Sequence, residues 1–274
     1  VEVVHADAAM VERLDDKEQF AALAASLGLS TPESYRITSP EQVAGFDFGE
    51  AGPGTGREFI FKSIAYDPVH RLDLTRLPRP TPEETRRFAE SKPMTPDNPW
   101  VMQQFVEGQE YCTHSTVRAG RVQVYCCCSS SPFQINYAHV DKPAIERWVT
   151  TFVGALGITG QVSFDFIEAV DGQVYAIECN PRTHSAITMF YDHPDVAAAY
   201  LQDGHDAVRP TATSRPTYWI YHEVWRLLTR PRQARGRLGT ILAGTDAVFD
   251  ASDPLPFLML HHVHVPSLLL QNLR

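Results

Sequence analysis

The sequence predicts an α+β fold, and three observations carry that prediction. Apolar residues recur at helical spacing in two places: Phe20, Leu23, Ala24 and Leu27, then Ile145, Trp148, Val149, Phe152, Val153 and Leu156. Two stretches read as β-hairpins, turning at Ala119-Gly120 and at Asp171-Gly172. Asp-Gly is a strong hairpin signal, because a type I′ turn needs positive φ at both central residues. The strands are joined mostly by hairpins and not by helical crossovers, which separates α+β from α/β. The 274 residues suffice for one large domain or two modest ones.

The elements follow in order. Residues 1–4 read as the end of a strand. Asp15 and Glu18 form a capping box ahead of the first helical stripe, and Gly28 stops it. Mixed strands begin after Pro32. The Gly-rich run 52–56 is a loop, and Phe59-Ile60-Phe61 is a short buried strand that delivers Lys62. Residues 67–99 are rich in Pro, Arg and Thr, with a helical piece near 83–91. A strand over 100–106 is followed by a break at Gly108 and by the hairpin 111–129. Gly157 ends the second stripe, and the Asp-Gly hairpin comes next. An Ala-rich helix follows Pro194, a Pro/Thr/Ser linker spans 210–216, and the tail from Thr217 has no assignable period.

Composition narrows the function. Hydrophobic residues make up 43% and charged residues 21%, as in ordinary globular proteins. A net charge of −9 argues against broad binding of nucleic acid or an anionic membrane. The apolar run 255–270 is interrupted by Pro256, three His and Pro266, so no membrane span is expected. The five Cys show no C-x-x-C spacing, so neither a zinc site nor a disulfide frame is indicated, and a reducing cytoplasm is expected. The run Cys126 to Cys128 reads as strand core. In His261, His262 and His264, strand geometry would put only the last two on one face, which favours packing over a metal.

The Asp-Gly hairpin holds the chemistry. A two-residue turn there sets Val170 opposite Gln173 and, counting outward, Asp165 opposite Glu178. Alternation then puts Ser163, Asp165, Glu178 and Asn180 on one face, with Arg182 at its end. Directly opposed carboxylates repel each other. A divalent cation between them removes the conflict, and hard oxygen ligands suit Mg²⁺ beside substrate phosphates. A guanidinium beyond the cation is what phosphoryl chemistry needs, since the transferred group must be neutralised from two sides. The plain alternative is an exposed polar hairpin face.

This constellation resembles the metal-binding hairpin of the ATP-grasp superfamily. The resemblance implies ATP and two Mg²⁺ ions as cofactors, with Asp165, Glu178 and Asn180 as metal ligands and Arg182 on the transferred phosphate. It further implies Lys17 and Lys62 as phosphate contacts. Residues 102–110, MQQFVEGQE, resemble the adenine-binding hinge. There the carbonyl of Gln104 and the amide of Val106 would pair with the base, with Phe105 between them and Gln103 assisting, and Glu110 would bind the ribose. The Gly-rich flap common after the lid lysine is absent. Ser63, His70 or Arg71 would supply polar contacts instead. The implied layout is a connecting helix at the end of an N-terminal domain over 1–27, a lid subdomain over 28–107, and a central domain with a C-terminal extension over 108–274.

Longer segments, among them IECNPRTHSAITMFYDHP and DPLPFLMLHH, resemble one family of ATP-grasp ligases, that of mycosporine biosynthesis. The resemblance covers nearly the whole chain, and the family's N-terminal domain is expected to lie outside it. It implies that 4-deoxygadusol is phosphorylated and then coupled to glycine, with no nucleic-acid or membrane partner. His184 would take a proton from glycine or hydrogen-bond the intermediate; alternatively it packs and orients Arg182. There are two rivals. One is another ATP-grasp carboxylate–amine ligase acting through an acyl phosphate, and only this one would keep an identical catalytic face. The other is a non-catalytic ATP-binding regulatory module, which predicts loss of the Mg²⁺ ligands or of the phosphate arginine; Asp165, Glu178, Asn180 and Arg182 are all present.

Overall fold

Side-chain caps start the first two helices. Asp7 caps α1 (Ala8–Asp15) by accepting from the Met10 amide at 2.8 Å. Asp16 caps α2 (Lys17–Ser26) by accepting from the amides of Glu18 and Gln19, both at 3.0 Å. The capping residue is therefore Asp16 and not Asp15, because Asp15 already closes α1. Gly28, at φ 72°, follows the end of α2 as expected. The computed structural model of the chain describes residues 4–49, 57–65, 67, 69–70, 73–130, 136–202, 204, 206–211 and 214–272. The strand expected at 1–4 and the loop 52–56 lie wholly or mostly outside these, as does Arg71.

The remaining elements are β1 (Ser34–Ile37), α3 (Pro40–Ala44), β2 (Glu58–Ser63), α4 (Pro82–Glu90), β3 (Trp100–Phe105), β4 (Gly108–Arg118), β5 (Arg121–Ser129) and β6 (Asn136–Tyr137). Then come α5 (Pro143–Leu156), β7 (Gly160–Ala169), β8 (Val174–Asn180), α6 (Val196–Leu201), β9 (Thr217–Tyr218) and α7 (Ile220–Thr229). The chain closes with α8 (Ala234–Ala243), β10 (Thr245–Asp246), α9 (Leu255–Met259) and α10 (Val265–Asn272). Among the described residues no helix is long and apolar enough to cross a membrane.

The chain divides into two units. The first holds residues 1–132, 140–184 and 194–209. It contains an antiparallel sheet of order β1-β3-β2 and a second of order β5-β4-β7-β8. In the smaller sheet Phe59, Phe61, Trp100 and Met102 face a core that also takes in Ile37, Val43, Leu77 and Ala89. Lys62 pairs with Val101 and so lies on the opposite face. In the larger sheet Tyr111, Tyr125, Cys127, Phe164 and Phe166 pack against Phe20, Trp148 and Phe152 from α2 and α5. Trp148 and Phe152 stack at 5.0 Å between centroids, and both meet Phe164 edge-on. Gly157, at φ 61°, ends α5 as its position predicts. The five cysteines are buried thiols outside any disulfide, and burial pushes the Cys127 thiol up to about 12.

The second unit holds residues 133–139, 185–193 and 210–274. Its sheet, β10-β9-β6, is three two-residue strands. Glu223, fully buried on α7, is compensated by Arg237 at 3.3 Å. The histidine run is helical, a π-type turn over Leu260–His264 between α9 and α10, which corrects the strand premise. His261 packs against Phe257 and Tyr221 at 4.6 and 4.7 Å, and the His262 ring bonds the Tyr221 hydroxyl at 3.0 Å. His261 thus packs as the sequence predicts, whereas His262 and His264 are exposed.

Candidate active site

The β7–β8 hairpin aims its carboxylates by a route that simple alternation does not foresee. Its loop is one residue longer than the two-residue turn: the Ala169 amide donates to the Gln173 carbonyl at 2.9 Å, leaving 170–172 as the loop, with Gly172 at φ 84°. From there Glu168 pairs with Val174 and Phe166 with Ala176. The register then shifts, and Asp165 pairs with Glu178 and Ser163 with Asn180. The extra residue is Ile177. This bulge reverses the facing of the strand, so that Val174, Ala176 and Cys179 all lie in the core while Glu178 and Asn180 are turned out of it. The expected pairing of Asp165 with Glu178 is present, and it depends on the bulge.

Around this pair the first unit gathers five further polar residues. Lys17, at the start of α2, places Nζ 3.7 Å from Glu178 Oε1. Asn180 donates from Nδ2 to Asp165 Oδ2 at 3.5 Å and accepts at Oδ1 from the Arg182 guanidinium at 3.2 Å. Burial and the charges of Glu178 and Glu110 push the Asp165 carboxyl up to about 7, against the pull of Lys62 and Arg182. Burial lowers the Lys62 pKa, with Glu178, Asp165 and Glu110 opposing that shift and Lys17 adding to it. Lys62 belongs to β2 and is coupled to this group through those charges. Glu110, on the same face of β4 as Cys112, the partner of Asp165, accepts from the Ser130 hydroxyl at 3.3 Å.

The strand that resembles an adenine hinge has defined roles. Gln103 is buried, on the face of β3 shared with Lys62, and its amide reaches the Ile177 carbonyl and the Ser34 hydroxyl, each at 3.4 Å. The Gln104 amide donates to the Glu33 carbonyl at 2.7 Å, and its side-chain oxygen accepts from the Glu33 amide at 3.3 Å. The residue before β1 therefore continues the pairing toward the C-terminal end of β3. Phe105 ends the strand with the Arg76 guanidinium 4.2 Å over its ring, and Val106 lies just beyond the paired ladder. Of the flap residues, Ser63 ends β2, while the His70 imidazole is bonded to Asp67 at 2.7 Å and is therefore already engaged within its own turn.

After β8 the chain carries Arg182, Thr183 and His184. Thr183 Oγ1 donates to Gln161 Oε1 at 2.6 Å, and the His184 amide donates to His114 Nδ1 at 3.3 Å. The His184 imidazole hydrogen-bonds Cys112, whose thiol is raised chiefly by Cys128 and by burial. Gln161 and His114 escape a reading of the sequence. The available signal was period two, since Gln161 precedes Ser163 by two and His114 follows Cys112 by two on strands already assigned.

An opposed carboxylate pair, one member of which is pushed toward neutrality, is a donor set short of positive charge. Asp165, Glu178 and Asn180 offer hard oxygens on one face, which fits Mg²⁺. Among the described residues no group of three or more His, Cys, Asp or Glu stands close enough to hold a metal alone.

Comparison with known proteins bears on the fold. No protein-family model matches the chain. A carbamoyl phosphate synthase large chain, C-terminal section, from Methanopyrus kandleri is 24% identical over 206 residues, covering 68% of this chain and 36% of that protein. N5-carboxyaminoimidazole synthase from Aspergillus clavatus, solved with ADP and 5-aminoimidazole ribonucleotide, superposes with TM-score 0.55 at 12% identity, over 77% of this chain and 57% of that one. The chain has an ATP-grasp fold. An L-amino acid ligase from Bacillus licheniformis is similar at TM-score 0.47 and 20% identity, over 66% of this chain and 43% of that one. The chain thus spans about a third of the curated relative and about half of these solved chains.

Proposed function

We propose that the protein is an ATP-dependent C–N ligase that phosphorylates 4-deoxygadusol and couples it to glycine, releasing ADP and phosphate. The observation that carries the ligase reading is the Asp165–Glu178 pair with Asn180, Arg182, Lys17 and Lys62 around it on an ATP-grasp fold. The choice of substrates rests on the family-like segments of the sequence.

4-Deoxygadusol is a vinylogous acid, and its enol oxygen is a poor leaving group. Attack of that oxygen on the γ-phosphorus of ATP expels ADP and forms an enol phosphate. The glycine amine then adds at the same carbon, and the C–O bond breaks to release phosphate and leave an enaminone. Lys17 and Lys62 neutralise the non-transferred phosphates, and Arg182 meets charge on the transferred group. Bound Mg²⁺, held by Asp165, Glu178 and Asn180, supplies electrostatic stabilisation of the phosphate oxygens. His184 is assigned the proton that glycine must lose. Val106 and Gln104 receive the adenine edge and Glu110 the ribose, with Gln103 and Phe105 as its neighbours.

The test is to incubate the protein with ATP, Mg²⁺, 4-deoxygadusol and glycine, omitting each in turn, and to follow phosphate and the enaminone. Phosphate release that needs 4-deoxygadusol is the expected result. Release that needs a carboxylic acid instead, with a hydroxamate formed on adding hydroxylamine, assigns the acyl-phosphate chemistry of other ATP-grasp ligases.

A further inference from the structure

We propose that His114 is a positioning residue for phosphoryl transfer, holding through its Nδ1 the loop that presents Arg182 and His184 to the transferred phosphate. The inference rests on the phosphoryl-transfer reading above.

His114 lies at the middle of β4 and is fully buried. Its Cα partner on β5 is Cys126, and it follows by two the Cys112 that pairs with Asp165. It therefore belongs to the face that carries the metal and phosphate residues. A buried imidazole there would be replaceable by Leu if it only filled space. Instead its Nδ1 accepts the backbone amide of His184 at 3.3 Å. A nitrogen that accepts from an amide carries no proton of its own. The ring is therefore the neutral tautomer with its proton on Nε2, an atom that is buried and has no hydrogen-bond partner. A buried polar atom left without a partner costs stability, so space filling alone does not account for an imidazole here. Burial and the neighbouring His184 hold the His114 pKa down at about 3, which keeps Nδ1 an acceptor throughout the working range.

The loop has a second tether. Thr183 Oγ1 donates to Gln161 Oε1, which also accepts from the Tyr200 hydroxyl at 3.3 Å, and that hydroxyl accepts from Thr116 Oγ1 at 2.9 Å. Both tethers rise from the sheet carrying the carboxylates, so the guanidinium that must meet the phosphate is fixed to the same frame as the metal ligands. A displacement of about 1 Å at such a group costs on the order of 10²-fold in rate. ATP affinity is set elsewhere, by Lys17, Lys62 and the C-terminal end of β3.

The experiment compares wild type with His114→Asn, whose side-chain oxygen stands near the place of Nδ1, and His114→Leu, which has no acceptor. Three quantities are read: hydrogen exchange at the His184 amide, the ATP-analogue Kd, and single-turnover phosphate transfer to 4-deoxygadusol. In wild type, imidazole ¹⁵N shifts should show an unprotonated Nδ1 and a protonated Nε2 from about pH 5 to 8. In His114→Leu, exchange at His184 should accelerate at least about tenfold and transfer should slow about 10- to 100-fold, with Kd changed by less than about threefold. His114→Asn should recover most of both. A ring that titrates in that range, wild-type exchange in the Leu variant, or parallel loss of nucleotide binding would overturn the proposal. If His114→Leu does not fold, the ring shifts of wild type and the exchange of the Asn variant decide. Absence of transfer by wild type, by contrast, strikes the ligase reading itself.

Discussion

Asp165 carries the electrostatic cost of the site. Its carboxyl titrates at about 7 in the metal-free fold, against roughly 3.9 in the unfolded chain. Between those values the native state binds more protons, so this residue makes stability fall as pH rises from about 4 to about 7, and not change further above that. Asp165→Asn should remove that slope and leave the metal-free protein more stable at pH 8, by on the order of 1 kcal/mol, while abolishing turnover. Denaturant melts at pH 5 and pH 8 without divalent ions check this; a variant less stable than wild type at pH 8 would refute it. Arg182→Lys keeps a charge but loses the planar fork. It should lower kcat by about 10²- to 10³-fold with the ATP KM little changed, because one such donor contributes about 3 to 4 kcal/mol to the barrier. Melting and single-turnover kinetics on one preparation separate this from a structural arginine, which would lose stability and keep its rate.

At the scale of elements, the β7–β8 hairpin shows how much was legible in the sequence. Period two and an Asp-Gly turn sufficed to set Asp165 against Glu178, and helical spacing sufficed for α2 and α5. Neither rule contains a bulge. A two-residue Asp-Gly turn is one residue too short, and Ile177 restores the register because Ala176 and Cys179 must both reach the core. The same limit explains the cap at Asp16: α1 has no long apolar stripe, so its end at Asp15 could not be seen. The C-terminal helices were unreadable because their apolar residues, among them Leu258, Leu269 and Leu270, are largely exposed and follow no buried face. Two glycines test the hairpin account. A Cβ on Gly172 would meet nothing within 4 Å, so Gly172→Ala should cost only its positive φ, about 1 kcal/mol. A Cβ on Gly108 would stand 2.1 Å from the Glu168 carbonyl oxygen, so Gly108→Ala must move the edge of β4 away from β7. It should cost more than Gly172→Ala, by at least about 1 kcal/mol in denaturant unfolding. Equal costs would mean that β4 and β7 pair less closely there.

At the scale of the molecule, ligand binding and folding are linked. ATP with Mg²⁺ should raise the melting temperature more than either alone, since one ligand supplies the charge that the carboxylates lack and the other completes its shell. At ATP about a hundredfold above Kd the added stability is about 2.7 kcal/mol. Glu178→Gln should lose the Mg²⁺-dependent part and keep part of the ATP-dependent one. The central claim is that this face moves a phosphoryl group onto an enol oxygen. The most direct measurement follows that oxygen: 4-deoxygadusol labelled with ¹⁸O at the reacting position, incubated with the protein, ATP, Mg²⁺ and glycine, and the released phosphate analysed by mass. The account predicts one ¹⁸O in each phosphate formed with the enaminone. Enaminone formation with unlabelled phosphate would contradict it.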